Sequence, residues 1–296
     1  MQHRPYARKD TDTSRHHSSG HLARLVAVAY RRTDGAALLQ AEESMTSRLV
    51  YGLLALLMSA PNLVVGGECD CTSWDSCHDC ESSKVVEEMA AAPHDSAVQH
   101  NGCWALYWRP PEEVVDASGI DAIAAAMEAL PYDGNVQHRA VNTLARIAND
   151  RRKHASPYFF AEKVAQAGGI RLAISAMDQA LEHRDNDSKD LAGEINWHGC
   201  HLLAGMSKNG QHKAVVDGGG IQAVMTAMKF FPLVEGVPVN GCRMLHLLFA
   251  TGFRKEVQEA GAEAAARVAM SAIPQNSVRE KCEPLSIALR LSGSEL

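Results

Sequence analysis

The chain has 296 residues, of which 46% are hydrophobic, enough for a folded body of one or two domains. Only 5% are aromatic, and the wealth of Ala, Leu, Val and Met favours closely packed helices over sheets of β-branched and aromatic residues. The formal net charge of -6 argues against non-specific binding of nucleic acid through a basic surface, so we expect no nucleic-acid partner.

Residues 1–44 are rich in Arg, His, Ser and Thr and show no sustained helical period. We therefore predict a disordered basic segment. Two interpretations stay open for it. It is either a targeting presequence or basic juxtamembrane arm, or it is a solvated tail that includes residues upstream of the true start.

Residues 45–67 form the most hydrophobic part of the sequence. Residues 49–67 carry no charge and follow Arg48, which is the layout of a signal peptide that begins at Met45. If Met1 is the true start, the same run predicts a short membrane anchor, and a buried core helix is the third alternative. The first two alternatives imply the secretory pathway or membrane attachment through residues 49–67, and the third implies the cytoplasm.

Residues 68–83 are predicted to form a Cys-rich linker, with Cys69, Cys71, Cys77 and Cys80 within twelve residues. After a signal sequence, two small disulfides are favoured, with three possible connectivities. The alternative is one zinc ion held by the four thiolates, but the single residue between Cys69 and Cys71 is tighter than the usual spacing of ligands. We therefore predict no metal and no cofactor, with zinc at these cysteines as the weaker alternative.

From residue 84 onward one pattern recurs, in which a Met precedes a Pro by four residues. It occurs at Met89–Pro93, Met127–Pro131, Met228–Pro232 and Met270–Pro274. In one copy Ile120 and Ile123 lie on the same helical face as Met127, and the Pro then ends the helix. A further copy has Met177 but Leu181 in place of the Pro. A short predicted helix ending in Gly precedes all of these helices except the first, with the Gly at 119, 169, 220 and 261.

A third, longer helix is predicted to follow each Pro. Its first copy, Val98-Gln-His-Asn-Gly-Cys-Trp-Ala-Leu106, keeps four of nine residues in the segment 136–144. Three helices in about 40 residues, with Gly-Gly-Ile opening the second and Gly-Cys-Trp-Ala-Leu in the third, resemble the armadillo repeat family. HEAT repeats are the nearest rival, but they lack the separate short helix.

The resemblance implies an all-α fold, a right-handed α-solenoid over residues 84–296 with a non-repeat N-terminal region before it. About five armadillo-type three-helix repeats are expected, at about 84–110, 111–157, 158–209, 210–252 and 253–291. Such proteins bind other proteins or peptides, so the resemblance implies a non-catalytic scaffold. The alternative is a secreted or membrane-anchored protein whose functional module is the Cys-rich segment, with the solenoid as a spacer.

In armadillo proteins the third helices line a concave groove, and importin-like members hold a peptide there with a Trp and an Asn four residues later. In this chain only Trp104 matches that Trp, and no copy has the Asn, so import-receptor activity is not expected. The resemblance implies a groove with an aromatic end followed by cations, suited to apolar and acidic side chains. Its expected residues are Trp104, Tyr107, Trp108, Asn142, Arg146, His201, Arg243 and His246. The alternative for the aromatic residues is that they cap the amino-terminal end of the core.

Four further cysteines, Cys103, Cys200, Cys242 and Cys282, occupy equivalent positions in the third helices. We predict small buried core residues, since repeats spaced by a helix diameter are too far apart to share a metal ion. His198 and His201 have helical spacing for zinc, but no third ligand is evident. The sequence contains no Ser-His-Asp signature, phosphate-binding Gly loop or His-Glu-x-x-His, so we expect no enzyme.

Overall fold

The computed structural model describes residues 69–150, 156, 158–183 and 189–293. The predictions for residues 1–44 and 45–67 lie outside these residues. The chain divides into two units, residues 1–66 and 67–296, and the described residues all belong to the second. The described residues are helical with no strand, which confirms the predicted all-α class for this part of the chain. Within it, no helix has both the length and the apolar character needed to cross a membrane.

The described residues form fifteen helices. They are α1 (Trp74–Cys77), α2 (Ser82–Ala91), α3 (Ser96–Tyr107), α4 (Pro111–Asp116), α5 (Gly119–Ala129), α6 (Gly134–Ala148), α7 (Phe159–Gln166), α8 (Gly169–Glu182), α9 (Lys189–Lys208), α10 (His212–Asp217), α11 (Gly220–Phe230), α12 (Gly236–Ala250), α13 (Arg254–Glu259), α14 (Ala262–Ala272) and α15 (Asn276–Gly293).

Two rows of helices run through the described part of the chain. The long helices α3, α6, α9, α12 and α15 each pack against the next, and so do the medium helices α2, α5, α8, α11 and α14. Each medium helix also packs against the long helix that follows it. The apolar core lies between the two rows, because each helix buries one stripe of Ala, Leu, Ile, Val and Met.

In three of the five units the Met of the medium helix packs against a Gly of the long helix that follows it, at Met89–Gly102, Met177–Gly199 and Met228–Gly241. A Cβ added to Gly102 would lie 2.5 Å from Met89 Cγ, and one added to Gly199 would lie 2.3 Å from Met177 Sδ. The Met side chain therefore occupies the space that a larger residue on the long helix would need. This contact accounts for the Gly at these positions of the long helices.

The repeated Gln of the long helix closes the end of the medium helix. Gln99 Nε2 donates to the carbonyl oxygens of Met89 at 2.7 Å and Ala92 at 2.9 Å. Gln137 Nε2 donates to the equivalent carbonyl oxygens of Met127 and Leu130 at 2.9 and 3.0 Å. These carbonyls are at a helix end and lack intrahelical partners. The Val-Gln-His repeat is thus explained by packing and helix capping.

Three of the four turns before the medium helices differ from the sequence prediction by one residue, and the turn at Gly261 agrees with it. The residue with positive φ is Ser118 (φ 60°) in the first turn and Gly168, Gly219 and Gly261 in the others. The predicted turn residue Gly119 is instead the first residue of α5, where an added Cβ would lie 2.6 Å from Val114 Cγ1. Close packing between helices, rather than left-handed backbone, explains the Gly at this position.

Cys242 and Cys282 form a disulfide between α12 and α15, with their Cα atoms 4.9 Å apart. Both residues are buried, as predicted, but the sequence analysis did not predict the bond between them. The two residues lie on the facing sides of α12 and α15. Cys103 and Cys200 are buried free thiols, and burial raises the pKa of each to about 12.

Candidate partner-binding surface

Three aromatic residues of α3 form a continuous cluster near the carboxyl end of that helix. Trp104 and Tyr107 stack with ring centroids 4.8 Å apart, and Trp108 meets them edge-on at 5.4 and 5.2 Å. The three residues come together because positions three and four apart share one helical face. Trp104 and Tyr107 are half-buried, whereas Trp108 is 60% exposed. The cluster therefore presents an aromatic surface to solvent.

Two arginines of α6 lie against this cluster. The Arg139 guanidinium carbon is 3.9 Å from the ring centroid of Trp104, and that of Arg146 is 5.2 Å from the centroid of Tyr107. Seven residues, or two helical turns, separate the arginines, so both point from one face of α6 toward α3. Arg146 was predicted from the sequence, but Arg139 was not. Only the angle between α3 and α6 brings Arg139 over the Trp104 ring.

The Cys-rich segment adds one more aromatic residue, Trp74, to the cluster of Trp104, Tyr107 and Trp108. Its disulfides join Cys69 to Cys80 and Cys71 to Cys77. No thiolate is left among these four residues for zinc, so the zinc alternative was wrong. Between the disulfides Trp74 contacts Trp104, with ring centroids 6.0 Å apart. We call residues 69–80 the disulfide knot.

The remaining predicted residues lie on the long helices beyond this cluster. Asn142 is on α6, His201 on α9, and Arg243 and His246 on α12, and all four side chains are half-buried. Burial lowers the pKa of His201, and the positive charge of Arg243 lowers it further. His201 and Arg243 are thus neighbours on α9 and α12.

A histidine pair that the sequence did not predict lies between α6 and α9. The rings of His138 and His198 are 5.2 Å apart, and His138 Nε2 is 3.1 Å from Glu194 Oε2. Burial, with neighbouring positive and histidine side chains, lowers the pKa of His138 to about 4 and that of His198 to about 3. Both shifts favour the neutral imidazole ring, because burial penalises its charged form. Among the described residues, no three potential ligand side chains are arranged to hold a metal.

Comparison with known proteins gives fold similarity alone. No protein-family model matches the chain, and no curated protein matches it. One similar solved structure is the crystal structure of an engineered protein from the Northeast Structural Genomics Consortium. It superposes with a TM-score of 0.56 at 20% sequence identity, over 86% of this chain and 94% of the engineered one.

Proposed function

We propose that residues 84–296 form an armadillo-type, right-handed α-solenoid that acts as a non-catalytic scaffold for a protein or peptide partner. Two features support the solenoid: the long helices pack one against the next, and short helices α4, α7, α10 and α13 each precede a medium helix. The Met–Gly contact recurs within three of the units, as expected of units that are built on one repeated pattern.

The observation that carries the functional proposal is the exposed aromatic cluster of α3 with arginines beside it. Trp and Arg are enriched among the residues that contribute most to binding at interfaces. Arg139, Arg146 and Arg243 give this surface positive charge in a chain with a formal net charge of -6. We therefore propose an extended partner segment that alternates apolar and acidic side chains.

A direct test uses two labelled synthetic twelve-residue peptides, one alternating Leu and Glu and the other alternating Leu and Lys. We expect the full chain to bind the first peptide and not the second, with affinity that falls as salt rises. Trp108→Ala should weaken binding about tenfold or more, because it removes an exposed aromatic contact.

The matched control for this substitution is Tyr132→Ala. Tyr132 is an aromatic residue that is 76% exposed, and it lies outside the surface, in the connection between α5 and α6. Its replacement should leave the affinity unchanged. Equal binding of both peptides, or equal affinity of the wild type and Trp108→Ala, would rule out this surface as the binding site.

The alternative, in which the Cys-rich segment acts alone and the helices serve as a spacer, has less support. Asn101 and Arg109 of the helical part hydrogen-bond to carbonyl oxygens of the knot, so the two parts share one surface. The three disulfides do support maturation in an oxidising compartment. Intact mass spectrometry of the natural protein under non-reducing conditions tests this. Free thiols at all eight cysteines would exclude an oxidising compartment.

A further inference from the structure

We propose that Trp74 is a fourth aromatic residue of the binding surface and that the two disulfides of the knot hold it in place, so that reduction of the knot weakens partner binding. The part of this inference that concerns binding rests on the proposed function. The part that concerns the shape of the surface does not require a partner.

Side chains of the helical part are anchored to the backbone of the knot. Asn101 Nδ2 donates to the carbonyl oxygen of Cys71 at 2.9 Å, and Arg109 Nη2 donates to that of His78 at 2.9 Å and also to that of Cys80. These hydrogen bonds depend on the path of the knot backbone rather than on its side chains. They form only when residues 71–80 keep their present shape.

The anchored residues adjoin the aromatic cluster. Asn101 is one helical turn before Trp104 on α3, and Arg109 directly follows Trp108. The carbonyl oxygen of Arg109 accepts a hydrogen bond from Arg146, whose guanidinium lies over Tyr107. A change in the knot is therefore transmitted to the cluster by two routes, the contact of Trp74 with Trp104 and the position of Arg109.

The disulfides are the strongest restraint on the shape of the knot. Its one helix, α1, has four residues, which is too short to be stable by itself. The side-chain hydrogen bonds within the knot, from Thr72 to Asp70 and from Ser76 to the Asp70 carbonyl oxygen, join exposed groups. Two nested cross-links of sequence separation 11 and 6 restrict the segment further. Without them the segment regains conformational freedom that hydrogen bonds of exposed groups offset only in part.

The outer disulfide is also the more accessible one. Cys69 and Cys80 are half-buried, whereas Cys71 and Cys77 are fully buried. A dithiol reductant would attack the outer pair first. Its thiolate breaks the sulfur–sulfur bond, and after exchange through a mixed disulfide Cys69 and Cys80 become thiols while the reductant becomes a cyclic disulfide.

The structural test uses the four tryptophans of the chain, which give four indole N–H signals in a ¹⁵N-labelled sample. The variant Cys69→Ser/Cys80→Ser should shift the signals of Trp74, Trp104 and Trp108. The signal of Trp197, on α9, serves as the internal control and should stay in place. The matched variant Cys242→Ser/Cys282→Ser opens a disulfide elsewhere and should leave the signals of the three clustered residues unchanged. Unshifted signals of Trp104 and Trp108 in the knot variant would overturn the inference.

The binding test uses the Leu/Glu peptide with the full chain. Trp74→Ala and the knot variant should each weaken binding about tenfold, as expected for loss of one aromatic contact at an interface. If Trp108→Ala weakens binding while both of these variants bind like the wild type, the surface stands and the role of the knot is wrong. If Trp108→Ala has no effect, the proposed binding site itself is wrong, and the redox control of binding is wrong with it.

Discussion

Removal of the disulfide between Cys242 and Cys282 should destabilise the carboxyl-terminal end of the helical rows. The bond closes a loop with a sequence separation of 40. In the chain-entropy model, opening a loop of about 40 residues lowers stability by about 4 kcal/mol, because the unfolded segment regains conformational freedom.

The effect should concentrate in α15. In a stack of repeats each helix depends mainly on its neighbours, and α15 packs against α12 and α14. It also contains Pro284, which removes one helical hydrogen bond only two residues after Cys282. The disulfide thus secures a helix that is weakened near the point of attachment.

The assay is hydrogen exchange followed by mass spectrometry, which resolves separate segments. In Cys242→Ala/Cys282→Ala, amides of α15 should exchange faster by up to about a thousandfold, the factor that corresponds to roughly 4 kcal/mol. Amides of α3 should be unaffected. Cys200→Ala is the matched control, because Cys200 is a buried free thiol at the equivalent position of α9. Its effect on amide exchange measures the stability that is lost when one buried sulfur atom is removed and no disulfide is opened.

The local role of the disulfide is refuted if the amides of α15 exchange no faster in the double variant than the loss of two buried sulfur atoms would explain. The effect of one such loss is measured with Cys200→Ala. The local role is also refuted if the acceleration is equally large in α3. That result would mean that the described helices unfold as one cooperative unit, with no local role for the disulfide.

Three further predictions concern stability. Gly199→Ala should destabilise the chain by about 1–3 kcal/mol in urea unfolding, because the new Cβ would overlap the Met177 side chain, and adding Met177→Ala should recover part of the loss. Ser118→Gly should raise stability by about 0.5–1 kcal/mol, since a left-handed backbone is costly for any residue but Gly; an unchanged urea midpoint would contradict this. The folded-state pKa values of His138 and His198 lie below the value near 6.5 of an unfolded chain, so the unfolded state binds protons first as the pH falls. Stability should therefore drop between about pH 6.5 and 4, and His138→Gln should reduce that drop when urea midpoints at about pH 7 and pH 5 are compared.

Local patterns accounted for much of the fold. The helical class and the stripe that contains Met127 follow from the 3.6-residue period, which any single helix must obey. The Gly turns were predicted within one residue. The error arose because Gly occurs there both for a left-handed backbone, as at Gly168, and for close packing, as at Gly119.

The candidate surface was predictable only in part. Trp104, Tyr107 and Trp108 share a helical face, so their cluster follows from spacing within one helix. Trp74 could not be assigned to it, because residue 74 reaches α3 only through the path of a disulfide knot whose connectivity the sequence left open.

Local sequence patterns predict the helical class, the apolar stripes of single helices and the positions that repeat, because these depend on contacts between residues a few positions apart. Packing between helices places Arg139 over Trp104, joins Cys242 to Cys282 and brings His138 against His198. Each of these contacts joins two helices. Their distances depend on how side chains interlock and set the angle and spacing of the helices, which no period within a single helix encodes.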